Sequence, residues 1–152
     1  MKAPPSLRRE HEELHADLAT AGTMPGLLGQ TAREIARIMH PHFLREDEYA
    51  IPPLSLLPRV AKGQVTPEMA EVLPLIARLK EEMPLMIEEH RAILGAVRAF
   101  AMAAENEGDE KCIRLAAELT VHAQLEEEVL YPAALLVGEV VKARLQRAQV
   151  IG

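Results

Sequence analysis

The segments His42-Phe-Leu-Arg-Glu46 and His122-Ala-Gln-Leu-Glu126 share one spacing, a histidine followed four residues later by a glutamate. On an α-helix that interval stacks the two side chains on one face, one turn apart. Both copies continue alike, Glu46-Asp-Glu-Tyr-Ala-Ile-Pro52 against Glu126-Glu-Glu-Val-Leu-Tyr-Pro132. The echo predicts two related helices facing one centre. A nitrogen ligand beside an oxygen ligand, supplied twice from separate helices, is what a bridged pair of metal ions needs.

The rest of the composition narrows the fold to helices. Hydrophobic residues make up 49% of the 152, yet only two Phe, two Tyr and no Trp are among them. Such a core is aliphatic, and alternating β-branched runs that would predict a sheet are missing. The length suits one domain spanning 1–152 with a sizeable core. A net charge of −6 argues against a nucleic-acid surface. No apolar run reaches the roughly 18 residues of a membrane span, and the N-terminal Met1-Lys-Ala-Pro-Pro-Ser6 lacks a signal-peptide core. The one cysteine, Cys112, rules out an internal disulfide and fits a reducing cytoplasm. A helix start can lower a thiol pKa, but Cys112 has no positioned partner in the sequence and is expected to be inert.

Helix signals predict an all-α, up-down four-helix bundle with helices at about 6–20, 27–49, 67–105 and 110–136. Ser6 is the expected N-cap of the first, and Thr66 with Pro67 starts the third. Pro74 and Pro84 predict bends or a break within the third. Pro52, Pro53, Pro58 and Gly63 make residues 51–66 a long connection between helices 2 and 3, with Leu54, Leu56, Leu57 and Val60 holding it on the bundle.

The apolar stripes place polar residues where aliphatics are expected. Helix 1 reads Leu7, His11, Leu14, Leu18, and helix 2 reads Ile35, Ile38/Met39, His42, Glu46, Tyr49. Helix 3 reads Met83, Met86/Ile87, His90, Ile93/Leu94, and helix 4 reads Leu119, His122, Glu126, Val129/Leu130. Spacings of three and four keep each set on one inward face. Buried His and Glu are costly without partners. Clustered around metal, they satisfy one another. Counting from the connecting turns, His90 and His122 match in height, whereas His11 and His42 are offset by roughly 10 Å. His15 is worse in height and phase but remains the alternative to His11. Glu127 is the alternative to Glu126 if helix 4 is locally widened.

This constellation resembles the hemerythrin-like, or HHE cation-binding, family. The pattern is a His on helix 1, H-x-x-x-E on helix 2, a His on helix 3 and H-x-x-x-E on helix 4. Arg9-Glu-His11-Glu-Glu-Leu14 and Glu88-Glu-His90-Arg-Ala-Ile93 are similar to the family's E-H-x-x-apolar segments and select His11 over His15. The resemblance covers residues 7–134. It implies a non-haem pair of iron ions with an oxo or hydroxo bridge, held by His11, His42, Glu46, His90, His122 and Glu126, the glutamates bridging. Oxygen-carrying relatives have a further histidine one turn from the helix 3 ligand, where this chain has Met86 and Leu94. One iron is then expected to have fewer histidines, with Tyr49, three residues after Glu46, as the candidate replacement. Tyr131, beside Pro132, is expected to be packing.

The functional expectation is a metal protein that binds or reacts with a small oxidant, oxygen, peroxide or nitric oxide, with peroxide decomposition favoured by the missing histidine. The alternatives are a non-enzymatic sensor or carrier acting through a protein partner or homo-oligomer, and repair or donation of iron. Serine hydrolysis is disfavoured because Ser6 and Ser55, the only serines, have no His/Asp arrangement near them.

Overall fold

The computed structural model describes residues 1–151, so Gly152 lies outside the described residues. Every element among them is helical. α1 (Pro5–Gly22) and α2 (Gly26–Arg45) are joined by a three-residue turn. α2 continues into a π-helical turn, Glu46–Ala50. A 3-10 turn (Pro52–Leu56) and the short α3 (Leu57–Ala61) form the connection, and a second 3-10 turn (Pro67–Glu71) leads into α4 (Val72–Glu107). The last column is α5 (Glu110–Leu125), a second π turn (Glu126–Leu130) and α6 (Tyr131–Ile151). The columns pack α1 on α2, α2 on α4, α4 on α5 and α5 on α1.

The helix ends follow local chemistry with some departures. α1 begins at Pro5 rather than at a Ser6 cap, because proline fixes a helical φ and its missing N–H is no loss in a first turn. Thr66 flanks the 3-10 turn but makes no side-chain cap. α4 runs unbroken past both Pro74, in its first turn, and Pro84. It ends at Gly108, whose φ of 65° lets its N–H bond back to Ala104. Asp109 then caps α5, accepting from the Cys112 N–H at 3.0 Å. The fourth column extends well beyond residue 136 because Val137 and Val141 are buried against the bundle. Gly138 permits close approach: a Cβ there would sit 2.7 Å from Ile76 Cγ2. Pro52, Pro53, Leu54 and Leu56 of the connection are buried and pack on α6, whereas Leu57 is exposed.

Two apolar clusters fill the interior. One, nearer the α1–α2 and α4–α5 turns, contains Leu18, Leu28, Ile35, Phe43, Val97, Phe100 and Leu119. The other contains Tyr49, Ile51, Val72, Leu79, Met86, Tyr131 and Val141. The buried polar residues are His11, His42, Glu46, His90, His122 and Glu126, all at most 5% exposed. Each lies on a column within a turn or two of members of both clusters.

Candidate metal centre

Each column delivers its polar residues by helical spacing. α1 brings His11, α4 brings His90, and the ends of α2 and α5 bring His42 and His122 with their glutamates one turn later. The six side chains form two overlapping groups: His11, Glu46, His122 and Glu126, and His42, Glu46, His90 and Glu126. Within each, one donor atom per residue lies within 4.8 Å of the others. Both carboxylates belong to both groups, and the four histidines divide two and two. No one-sided shortage of histidine results.

The inward-facing atoms lack ordinary partners. Glu46 Oε1, Glu126 Oε2 and His122 Nε2 are buried without a hydrogen bond. His42 Nε2 and His90 Nε2 face each other at 2.9 Å. Each of those rings has a carboxylate on its other nitrogen: Glu89 Oε1 is 3.3 Å from His42 Nδ1, and Glu127 Oε1 is 2.9 Å from His90 Nδ1. A carboxylate partner draws the proton to Nδ1 and leaves a lone pair on Nε2. Two such lone pairs 2.9 Å apart repel unless a proton or a metal cation lies between them. The donor set of imidazole and carboxylate, without thiolate, suits iron or another ion of similar hardness.

A profile of the hemerythrin HHE cation binding domain matches residues 5–134. The chain belongs to the hemerythrin HHE family. No curated protein and no solved structure matches it. The HHE match spans all four columns and all six inward residues, so the buried His/Glu cluster sits within the family's cation-binding region.

Within this HHE fold Tyr131, rather than Tyr49, reaches the cluster, as a hydrogen-bond donor. Tyr49 donates its hydroxyl to Glu82 and lies 3.4 Å from Met86 Sδ. Arg78 stacks over its ring, 4.4 Å from the centroid. Tyr131 reaches the cluster instead, donating to Glu46 Oε2 at 2.8 Å, with its oxygen 3.3 Å from His90 Nε2. Its ring also stacks on His90, with centroids 5.7 Å apart. The cause is the π turn. Five residues along a regular α-helix point about 140° away from the start, which would turn Tyr131 from the face of Glu126. A turn closed from residue i to i+5 takes an extra residue and brings it round.

That same widening does not exchange Glu127 for Glu126. Glu126 stays in both groups, and Glu127 turns to the outer nitrogen of His90. His15 is in neither group; its ring lies edge-on to Phe43 at 4.6 Å, while His11 stacks flat on Phe43 at 4.3 Å.

The outer role of four carboxylates is not in the sequence-based expectation, which has Glu127 only as an alternative inner ligand. Beyond Glu89 and Glu127, Glu10 Oε1 is 2.5 Å from His122 Nδ1, and Asp47 Oδ1 is 3.4 Å from His11 Nδ1. The signal was present: Glu10 and Glu89 each precede a histidine of the cluster, while Asp47 and Glu127 each follow one of its glutamates.

Electrostatics follow from this crowding. Burial opposes charge on His42 and His122, but the Glu126 and Glu46 carboxylates outweigh it and hold them up at about 10 and about 9. His11 is raised in the same way against its burial, chiefly by Glu126. Burial and the neighbouring Glu126 push Glu46 up to about 7. Burial works against charge on Glu126 too, yet hydrogen bonds from Glu46 and the histidines keep it well below the usual carboxylate range. Burial beside both glutamates drives the Tyr131 phenol above its ordinary value, so it stays a proton donor. Burial raises, rather than lowers, the Cys112 thiol. No helix among the described residues is long and apolar enough to cross a membrane.

Proposed function

We propose that this HHE bundle holds two iron ions, one by each His/Glu group, and that the pair binds or reacts with a small oxidant: oxygen, peroxide or nitric oxide. The observation carrying this reading is that two four-residue donor groups share both of their carboxylates. Shared carboxylates favour a bridged pair over two separate ions. Bound iron would supply electrons and Lewis acidity to such an oxidant.

The remaining chemistry belongs to the side chains. Glu46 and Glu126, which belong to both groups, would hold both ions, with His11 and His122 completing one group and His42 and His90 the other. Tyr131 keeps its proton at the phenol oxygen, aimed at Glu46 and beside His90. Phe43, 3% exposed and stacked on His11, helps keep water from the cluster. Met86 and Leu94 stand where oxygen-carrying relatives have another histidine, which favours turnover of peroxide over reversible carriage of oxygen.

A second reading is a sensor or carrier that works through a protein partner. Val121, Leu125, Val129 and Leu136 support it, since all are exposed on the α5–α6 column near the cluster. The two readings separate when ferrous protein, prepared without air, is mixed with oxygen and with peroxide and followed optically. A reversible band with oxygen supports a carrier, and oxygen evolution from peroxide over many turnovers supports an enzyme. Inertness to both sinks the oxidant reading. Full iron stoichiometry in His42→Ala and Glu126→Ala would contradict the ligand set.

A further inference from the structure

The outer carboxylates form a closed circuit around the bundle. Glu10 on α1 reaches His122 on α5, and Glu127, in the turn after α5, reaches His90 on α4. Glu89 on α4 reaches His42 on α2, and Asp47, in the turn after α2, faces His11 on α1. Each column thus sets the residue next to its own ligand against its neighbour's histidine, by a hydrogen bond in three cases and, for Asp47 and His11, by a 3.4 Å approach without one. The supports divide as the ligands do. Glu10 and Asp47 serve the group containing His11 and His122; Glu89 and Glu127 serve the group containing His42 and His90.

The two halves differ in one support each, Asp47 against Glu89. Glu10 and Asp47 side chains are 40% and 54% exposed. Glu10 and His122 also border an open groove between α1 and α5. On the other half Glu127 is 38% exposed, close to Glu10, but Glu89 is only 16% exposed and is clamped by Arg45 at 2.5 Å, and Tyr131 covers His90. A carboxylate on Nδ1 fixes the tautomer and ring angle and makes Nε2 a stronger donor. A clamped, dry carboxylate does this better than a hydrated one.

We propose that Glu10 and Asp47, against Glu89 and Glu127, are positioning residues that separately set the hold on two unequal metal positions. The His11/His122 position is the exchangeable one, open to the α1–α5 groove, and the His42/His90 position is the retained one. This rests on the two-metal reading above.

The test loads the full chain with two equivalents of ferrous iron without air and strips it with excess bipyridine, whose iron complex is coloured. Release is expected in two phases, one equivalent each. Glu10→Ala should speed the fast phase about 10-fold or more and leave the slow one unchanged; Glu89→Ala should do the reverse. Gln at either position keeps an acceptor for Nδ1–H and should fall between Ala and the parent. Glu88→Ala and Glu128→Ala, which alter exposed neighbours that touch no histidine, should change neither phase. A loss of general stability would move both phases together and so overturns the inference, as does release in one phase. Failure of the parent chain to bind two equivalents overturns the two-metal reading itself.

Discussion

At the scale of single residues, the chemistry turns on which atoms are left without a partner. Without metal, the inward side of the cluster is held together by protons. His42 and His122, raised from an ordinary 6.5, add stability in full below that value and lose it as pH climbs through about 10 and about 9 respectively. Glu46, raised from 4.5, loses its contribution as pH passes about 7. Glu126, depressed, works the other way and loses its contribution only below 4.5. The metal-free protein should therefore become steadily less stable from about pH 5 to pH 10. Metal needs deprotonated ligands, so the gap in melting temperature between loaded and stripped protein should widen over that range. Melting curves at pH 5.5, 7 and 9 would show it; a constant gap would contradict it. Tyr131→Phe removes the one hydroxyl that donates to buried Glu46 and should cost about 1–3 kcal/mol in urea unfolding of the stripped protein. It should also alter the absorption of the ferric protein, whereas Tyr49→Phe, facing Glu82, should leave that absorption unchanged.

At the scale of elements, the two π turns decide which side chains meet the centre. Each opens on a cluster glutamate and closes with an i→i+5 bond, Ile51 N–H to Glu46 O at 2.9 Å and Tyr131 N–H to Glu126 O. A proline follows each, Pro52 and Pro132, at a place where the helix is already rewinding. The equivalent positions carry Ile51, buried in the core, and Tyr131, so only the second repeat offers a hydroxyl. Deleting Val129 from the second turn would remove its extra residue and rotate Tyr131 and all of α6 by about 100°. Val129 is half exposed, so Val129→Ala should cost no more than about 0.5 kcal/mol. The deletion should instead lose cooperative unfolding and metal stoichiometry together. Circular dichroism melts and iron analysis of both variants check this.

At the scale of the whole molecule, the polar cluster gathers residues from all four columns, which also contribute to both apolar clusters. The match to the HHE family ends at residue 134, but the second core does not. Val137 and Val141, each at most 1% exposed, lie beyond it. A chain ending after Ala134 should lose about 3–6 kcal/mol of stability, from two valines at about 1.5–3 kcal/mol each. Urea titration against the full chain measures the difference, and a loss below about 1 kcal/mol would show that α6 is dispensable.

The helical class, the inward faces and the six polar positions were legible in residue spacing, because a 3.6-residue period fixes which side chains share a face before any packing occurs. His11 over His15 and His90 as the third-column residue follow from that rule. Tyr131, the outer carboxylates and the even division of histidines do not. They depend on two turns whose period departs from 3.6 and on side chains that meet across columns, over separations as long as that between Glu10 and His122. Local spacing determined what each helix presents to the centre. Only tertiary packing decided which helix answers it.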